Sequence, residues 1–392
     1  MRPLENIRVL DFSAGMAGPL CTRNLRDFGA EVIKVEHQKD SDYTRDLLTE
    51  SGRKSGYFTN FNIGKKSITL NYEEEMAWDI LKRVIKDVDV ILYDNDDENY
   101  QKLGINYEEV KKINKKLIYA SISGFGESSK FEKIKSHENV IQSLAGAMDL
   151  TGFSGDLPTR VGASIGEAMT GLNVSLGILM AVVNSKKTGE GQEVKVSKLA
   201  SLIAINEVAI LTKDILGEVI SRAGNTDVTL APYDVYKSKD GYISIGVASE
   251  KAWINFCKTL NLVELMEDQR FVDNESRVNH YKELTDTLGK VMINYENEEL
   301  ESILLPAGVP CSAVLSIDKI LKHPQIKDRL MVMEVVDSGS QFRIFGQPMK
   351  MDRTPAVIDI NTSKKGEDNE DILKSIGYSD LEIENLKSKN II

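Results

Sequence analysis

Glu167 lies in the run Gly162-Ala163-Ser164-Ile165-Gly166-Glu167-Ala168-Met169-Thr170-Gly171, a lone carboxylate among glycines and small side chains. With no Cβ on the flanking glycines, a ligand can approach the backbone closely. A carboxylate so placed can act as a nucleophile and form a covalent anhydride. The same residue also fits the first turn of a helix, where the macrodipole stabilises an acidic side chain by under ~1 kcal/mol. The decapeptide alone does not separate these readings.

His137, in Ser136-His137-Glu138-Asn139-Val140-Ile141-Gln142, is the second candidate. An adjacent acid can raise an imidazole toward the range of a general acid or base, although a lone histidine is also a common structural residue. A loop Ala14-Gly15-Met16-Ala17-Gly18-Pro19 follows the first strand-like run, the place where α/β folds bind ligands. It is not a dinucleotide fingerprint: the glycine spacing is wrong, and Pro19 removes an N–H donor from the helix start. No Walker A sequence is present either. Arg23, His37, Arg45, Lys65 and Lys66 are the basic residues able to hold phosphates, with Lys102 a further candidate. Solvated turns account for Lys65-Lys66 and Lys102 equally well.

The elements that must position these residues follow from periodicity. Ile7–Phe12, Glu31–Glu36, Ser67–Leu70, Asp89–Tyr93 and Leu117–Ile122 read as strands. Helical stretches lie between them, through Arg26, at Met76–Lys86 and at Tyr107–Ile113. This alternation predicts an α/β fold with a doubly wound, Rossmann-like parallel sheet. An apolar helical run from Leu172 to Val183 ends at Lys186-Lys187-Thr188-Gly189, ahead of a strand at Glu193–Val196. One long helix is expected from about Lys198 to Leu216. After Gly224-Asn225 the pattern changes. Tyr233–Ile245 reads as a hairpin turning at Lys239-Asp240-Gly241, followed by helices to about Leu304. The expected domains are a large α/β domain from 1 to 225, a small α+β domain from 226 to 328, and a return to the large domain from 329 to 392. Within that last segment, Ser363–Asn369 reads as a polar loop and Asp380–Lys389 as a final helix.

Composition narrows the classes. The chain has 392 residues, 41% of them hydrophobic, enough for two or three domains with real cores. Its net charge of −11 argues against nucleic acid as a partner but leaves room for a small anion held by a local basic patch. No apolar run of transmembrane length stands out, and no membrane partner is expected. The first residues lack a signal-peptide core, so a cytoplasmic protein is expected. Cys21, Cys257 and Cys311 are far apart, and the four histidines are scattered, so no metal site is expected.

Several segments recur together in a familiar order: Val9-Leu10-Asp11, Ala17-Gly18-Pro19, Gly29-Ala30-Glu31-Val32-Ile33-Lys34-Val35-Glu36, Ser121-Ile122-Ser123-Gly124-Phe125-Gly126, Thr188-Gly189-Glu190-Gly191-Gln192, Gly224-Asn225, Ala231-Pro232-Tyr233 and Gly308-Val309-Pro310-Cys311. In these the chain resembles the family III CoA-transferases, which include formyl-CoA transferase and the carnitine and bile-acid CoA-transferases, with α-methylacyl-CoA racemases sharing the fold. The resemblance runs essentially end to end. It implies a large Rossmann-like domain built from both chain ends, and an interlocked homodimer. It implies coenzyme A or an acyl-CoA as a substrate, with no tightly bound cofactor, and an organic acid as the other substrate.

In that family an aspartate attacks the acyl-CoA thioester, and its position falls on Glu167. His137 falls where racemases carry a histidine and formyl-CoA transferase an aromatic residue. Met16 occupies the first-loop position that formyl-CoA transferase fills with a polar side chain. The implied CoA contacts are Met16, Ala17, His37, Lys65, Lys66 and Lys102. Two positions depart from the pattern. Glutamate replaces aspartate, and the acidic Tyr93-Asp94-Asn95-Asp96-Asp97-Glu98-Asn99 replaces the usual loop near the adenine.

Three functions follow. A CoA-transferase moves CoA between acids through a Glu167 anhydride and thioester. A racemase or epimerase uses His137 and Glu167 as two bases across an acidic α-carbon. A non-catalytic partner subunit binds CoA without turning it over.

Overall fold

The computed structural model describes residues 2–49, 54–95, 98–127, 130–131, 134–337 and 340–392. The N-terminal part alternates strand and helix: β1 (Arg8–Asp11), α1 (Ala17–Asp27), β2 (Glu31–His37), α2 (Gly56–Asn62), β3 (Lys66–Leu70), α3 (Glu75–Ile85), β4 (Val90–Asp94), α4 (Glu98–Lys102), α5 (Tyr107–Ile113) and β5 (Ile118–Ser123). There follow α6 (Glu138–Leu144), α7 (Ala147–Leu150), α8 (Ile165–Thr188), β6 (Glu193–Ser197), α9 (Lys198–Ile203) and α10 (Glu207–Leu216). Among the described residues these six strands form one parallel sheet in the order β3-β2-β1-β4-β5-β6. The order is that of a Rossmann-type sheet. Chain direction across the sheet reverses between β1 and β4, which opens a crevice at the carboxyl ends of those strands.

Both faces of the sheet are covered, as an all-parallel sheet requires. On one face Leu10, Ile33 and Ile91 pack with α3, α5 and residues near the C-terminus, including Leu373, Leu386 and Ile391. On the other, Val9, Val32, Leu92 and Ala120 pack with Cys21 and Leu25 of α1 and with Val174, Ile178 and Ala181 of α8.

The chain divides into two units: Met1–Ala147, Arg160–Ile215 and Pro324–Ile392 in the first, Met148–Thr159 and Leu216–His323 in the second. Residues 226–328, drawn from the sequence as the smaller domain, overlap the second unit without matching its bounds. That unit holds β7 (Tyr233–Lys237), β8 (Tyr242–Gly246), helices α11 (Glu250–Thr259) through α16 (Ile317–Ile320), and β9 (Cys311–Ala313). Its antiparallel sheet runs β7-β8-β9 over a core centred on Trp253, Phe256, Leu284 and Leu300. Back in the first unit come α17 (Pro324–Asp328), the hairpin β10 (Val332–Asp337) and β11 (Ser340–Phe345), α18 (Asn369–Ser375) and α19 (Asp380–Ser388).

Two sequence expectations need correction, and a third gains detail. The helix expected from Lys198 to Leu216 is broken into α9 and α10, because the Asn206 side chain donates to the Ala145 carbonyl at 2.7 Å where the helix would continue. The polar segment Ser363–Asn369 is a loop as far as the start of α18 at Asn369, as expected, and it is tied to the sheet. Asp368 and Asn369 accept the Ser67 and Thr69 amides at 2.7 and 2.8 Å and so cover the edge of β3. Finally, α8 is long and apolar enough to cross a membrane: it has 24 residues, and an 18-residue window averages 1.5 in hydropathy. Of that window 44% is buried inside the protein, where α8 packs on α1, β5, β6 and α9.

Candidate active site

A cavity of about 530 Å³ lies at the carboxyl ends of the sheet strands. Ala14, Gly15 and Met16 reach it from the loop after β1, and Asp94 from the end of β4, the two strands that flank the reversal. Ser136, His137 and Glu138 line it from the start of α6, Ser164 and Glu167 from the start of α8, and Lys198 from the start of α9. Tyr43, Tyr57 and Lys135 complete the wall.

Glu167 is the third residue of α8, behind Ser164 at the N-cap. Its carboxylate bridges two helix starts. Oε2 accepts the backbone N–H of Ala17, the first residue of α1, at 3.2 Å, across 150 residues of sequence. The positive ends of α1 and α8 both favour an anion there. Oε1 lies 2.9 Å from Lys198 Nζ, and Asp94 is 4.0 Å from the same ammonium. Lys198 is 8% exposed and Glu167 17%.

The glycines around Glu167 make room for protein, not for a ligand. A Cβ on Gly166 would sit 2.9 Å from Glu138 Oε2, and one on Gly171 would sit 2.7 Å from the Ala17 carbonyl oxygen. Gly166 thus admits the Glu138 carboxylate, which accepts the Gly166 amide at 3.0 Å and the Glu167 amide at 3.1 Å. Gly171 lets α8 close against α1, which is what brings Ala17 to Glu167. Gly162 faces open space.

The loop after β1 rests on buried charge. Asp11 accepts from Ser13 N–H at 3.0 Å, from Thr22 Oγ1 at 2.6 Å and from Lys65 Nζ at 2.9 Å. Burial pushes its pKa up, but Lys65, Lys34 and the hydroxyls outweigh that and hold it down at about 2. Lys34 Nζ donates to the Ser13 carbonyl at 2.7 Å and pins the loop from the sheet side.

The family model for CoA-transferase family III matches residues 4–369. The chain belongs to CoA-transferase family III. A formyl-CoA:oxalate CoA-transferase from Escherichia coli O6:H1 is 30% identical, over 100% of this chain and 99% of that one. An acyl-CoA transferase from Fusarium pseudograminearum is 29% identical, over 99% of this chain and 88% of the relative. Among solved structures, a CAIB/BAIF family protein from Brucella suis superposes with a TM-score of 0.84 at 27% identity, covering 96% of this chain and 99% of that one.

In this family III chain, three residues singled out from the sequence meet in the cavity: Met16, His137 and Glu167. Ala17 joins them through its amide. His137 is exposed at the N-cap of α6, and its side chain makes no capping bond. Glu138, expected to tune it, instead caps α8 and accepts from Gln142 at 2.8 Å.

Lys65 and Lys66 do not meet the cavity. Lys65 is 1% exposed, and Nζ donates to Asp11, Asn62 and Pro19, which leaves no proton for a phosphate. Burial pulls its pKa down to about 8 against the opposing pull of Asp11. Lys66 opens β3 and pairs at 2.6 Å with Glu31, the first residue of β2. It lies four residues before Leu70, the register partner of His37, or about 13 Å along the strand on the wrong side for a ligand at the carboxyl ends.

His37 ends β2 with its ring 4% exposed and edge-on to Tyr72. Burial depresses its pKa below 6.5, with Asp40 and Glu73 opposing, and Nδ1 accepts the Asp40 amide at 3.2 Å. It is therefore a neutral ring and not a cation for phosphate. Lys102 is 3.6 Å from Glu73 and within electrostatic reach of His37. Arg23 and Arg45 are paired with Asp27 and Glu36. Of the acidic loop, Asp94 faces Lys198, while Asp96 and Asp97 lie outside the described residues.

Sequence reading missed Lys198, Tyr43 and Tyr57. Lys198 did carry a signal. It follows the Ser197 N-cap directly, and a cation at a helix N-terminus runs against the macrodipole. Tyr57 gives none. Burial, with Tyr43 and Glu167 adding, raises its phenol to about 12, so it stays a neutral donor.

Proposed function

We propose that the chain is a CoA-transferase that moves CoA between an acyl-CoA and an organic acid, with Glu167 as the covalent carrier. The observation that carries this reading is the Glu167 carboxylate in the crevice cavity, held between the Ala17 amide and Lys198. A Glu167 oxygen attacks the thioester carbonyl, a C–O bond forms, the C–S bond breaks, and CoA leaves as thiolate to give a mixed anhydride of the acyl group and Glu167. The thiolate then attacks the Glu167 carbonyl carbon. The donor acid departs as carboxylate and a Glu167–CoA thioester remains. The acceptor carboxylate reverses both steps and restores Glu167. The Ala17 N–H, aimed at the carboxyl group, is positioned to hold the oxygen on which charge collects.

The test is mass spectrometry of the protein after acyl-CoA incubation, with hydroxylamine trapping. A hydroxamate on Glu167 is expected, and an unmodified Glu167 in an active protein would overturn the reading. His137 on the same cavity wall supports a second reading, an α-proton racemase. Deuterium exchange at the α-carbon without any acceptor acid would favour it over transfer.

A homodimer fits the same reading. Leu172, Leu176, Met180 and Val183 on α8 are exposed, as are Val208, Leu211 and Ile215 on α10, a helix with no buried residue in the single chain. Apolar faces of that size call for a partner. The interlocked form is the one the family resemblance implies.

A further inference from the structure

The two oxygens of the Glu167 carboxylate have different surroundings. Oε2 turns to the amide of Ala17, a residue that is 3% exposed and lies outside the cavity lining. Oε1 turns to the ammonium of Lys198 at 2.9 Å, and Lys198 lines the cavity. A ligand in the cavity therefore meets Oε1 first.

The proposed reaction, on which this inference rests, also needs the two oxygens to differ. The oxygen that attacks the thioester becomes the bridge of the anhydride, and the other stays a carbonyl oxygen. When the CoA thiolate adds to the Glu167 carbonyl carbon, a C–S bond forms and negative charge collects on the carbonyl oxygen. The bond from that carbon to the bridging oxygen then breaks. Its electron pair stays on the bridging oxygen, which leaves as part of the donor carboxylate.

The two donors match these two tasks. A backbone N–H at a helix start is a fixed dipole, suited to a transient oxyanion at Oε2. A full negative charge departing with Oε1 calls for a full positive charge, and Lys198 supplies one at 8% exposure, where the attraction is little weakened by water. We infer that Oε1 is the attacking oxygen and that Lys198 is a catalytic residue, stabilising the departing carboxylate at that oxygen. Lys198 follows one atom throughout: Oε1 of the resting carboxylate, the bridge of the anhydride, an oxygen of the released acid. An ammonium carries three N–H groups, so Lys198 serves that atom while keeping Asp94 at 4.0 Å.

The test varies the leaving carboxylate. Acetyl-, fluoroacetyl- and difluoroacetyl-CoA, labelled in the acyl group, are mixed with excess protein, and release of labelled acid is followed by rapid quench in a single turnover. Fluorine draws charge away from the leaving carboxylate, which then needs a cation less. Lys198→Met should slow release from acetyl-CoA by about tenfold or more, the scale of one charge-assisted hydrogen bond. The loss should shrink stepwise toward difluoroacetyl-CoA. Lys198→Arg keeps the charge and should restore the wild-type dependence. Lys198→Gln, polar but uncharged, gives the same comparison should the methionine disturb the fold. Because the donors are compared within one protein, a smaller folded fraction cancels.

A loss equal for all three donors overturns the inference, since Lys198 then only positions Glu167. So does a loss that grows toward the fluorinated donors, or release as fast as in the wild type. The underlying reading fails separately, by the lack of any adduct on wild-type Glu167.

Discussion

Glu138 accepts the backbone amide of Glu167, while the Glu167 side chain turns away to accept the amide of Ala17. Two carboxylates thus sit at one helix start with divided work. Glu138 satisfies N–H groups that would otherwise lack partners, and Glu167 is left to face the cavity. Replacing Glu138 with Ala should lower stability by about 1–2 kcal/mol, the scale of a lost cap, and should slow adduct formation on Glu167. Thermal unfolding and the trapping assay read the two effects. A variant with unchanged melting and unchanged chemistry would show that the cap is dispensable.

Shortening Glu167 tests the reach of the helix. Glu167→Asp keeps the charge but withdraws the carboxylate by about one C–C bond, 1.5 Å, from Ala17 and Lys198. The family resemblance on its own suggests that the aspartate restores activity. The fixed position of residue 167 in α8 argues the reverse, and a loss on the order of a hundredfold in turnover is expected. Steady-state kinetics at saturating acyl-CoA decides between them.

The glycines provide an internal comparison. Gly171→Ala drives a methyl into the Ala17 backbone oxygen and should cost about 1–3 kcal/mol, with activity falling as α1 and α8 separate. Gly162→Ala meets no atom within 4 Å and should change stability by less than about 0.5 kcal/mol. Chemical denaturation of both variants, side by side, gives the contrast.

Asp11 makes the loop after β1 sensitive to acid. Its folded pKa of about 2 lies below the ordinary 3.8, so its ion pairs stabilise the fold fully above about pH 4. That contribution is lost as pH falls from there through 2. Asp11→Asn leaves Lys65 buried without its anion and should cost about 3–5 kcal/mol near neutral pH. Its stability should also change less between pH 4 and pH 2 than that of the wild type. Urea titrations across that range provide the measurement.

For CoA itself, the proposal that Lys102 contacts a phosphate predicts that Lys102→Ala weakens binding more at low salt than at high salt, because ions screen such a partly exposed contact. Lys66→Ala should leave affinity unchanged, since its ammonium pairs with Glu31 at the far edge of the sheet. Calorimetric titration with CoA at two ionic strengths would reveal the reverse ranking if the placement of these lysines is wrong.

The strands were legible because β-branched runs such as Glu31-Val32-Ile33-Lys34-Val35 carry their own pattern, and both faces of the sheet are buried. The end of α8 was legible from Lys186-Lys187 before Gly189, whose positive φ closes the helix. Glu167 stood out for a partly mistaken reason. The glycines that flagged it serve Glu138 and α1, and no local pattern tells an opening for a ligand from an opening for a neighbouring helix. Lys65 and Lys66 look alike as a dipeptide. Lys65, just ahead of β3, reaches the buried Asp11, while Lys66 opens the strand and pairs with Glu31, so charge alone did not tell a buried counter-ion from a surface cation. The cation beside Glu167 was hidden because Lys198 and Glu167 start different helices and meet only through tertiary packing.

Leu10, Ile33 and Ile91 share one core with Leu373, Leu386 and Ile391, and the Asn71 amide donates to the Ile391 carbonyl at 2.7 Å. During synthesis the ribosome delivers the first sheet strands long before the helices that seal them. At the usual ~5–20 residues per second, that face of the sheet waits for on the order of 15 s to a minute. Newborn chains of this protein therefore pass through a stage in which α3 and α5 cover that face only in part, and its last apolar positions stay open until α18 and α19 emerge.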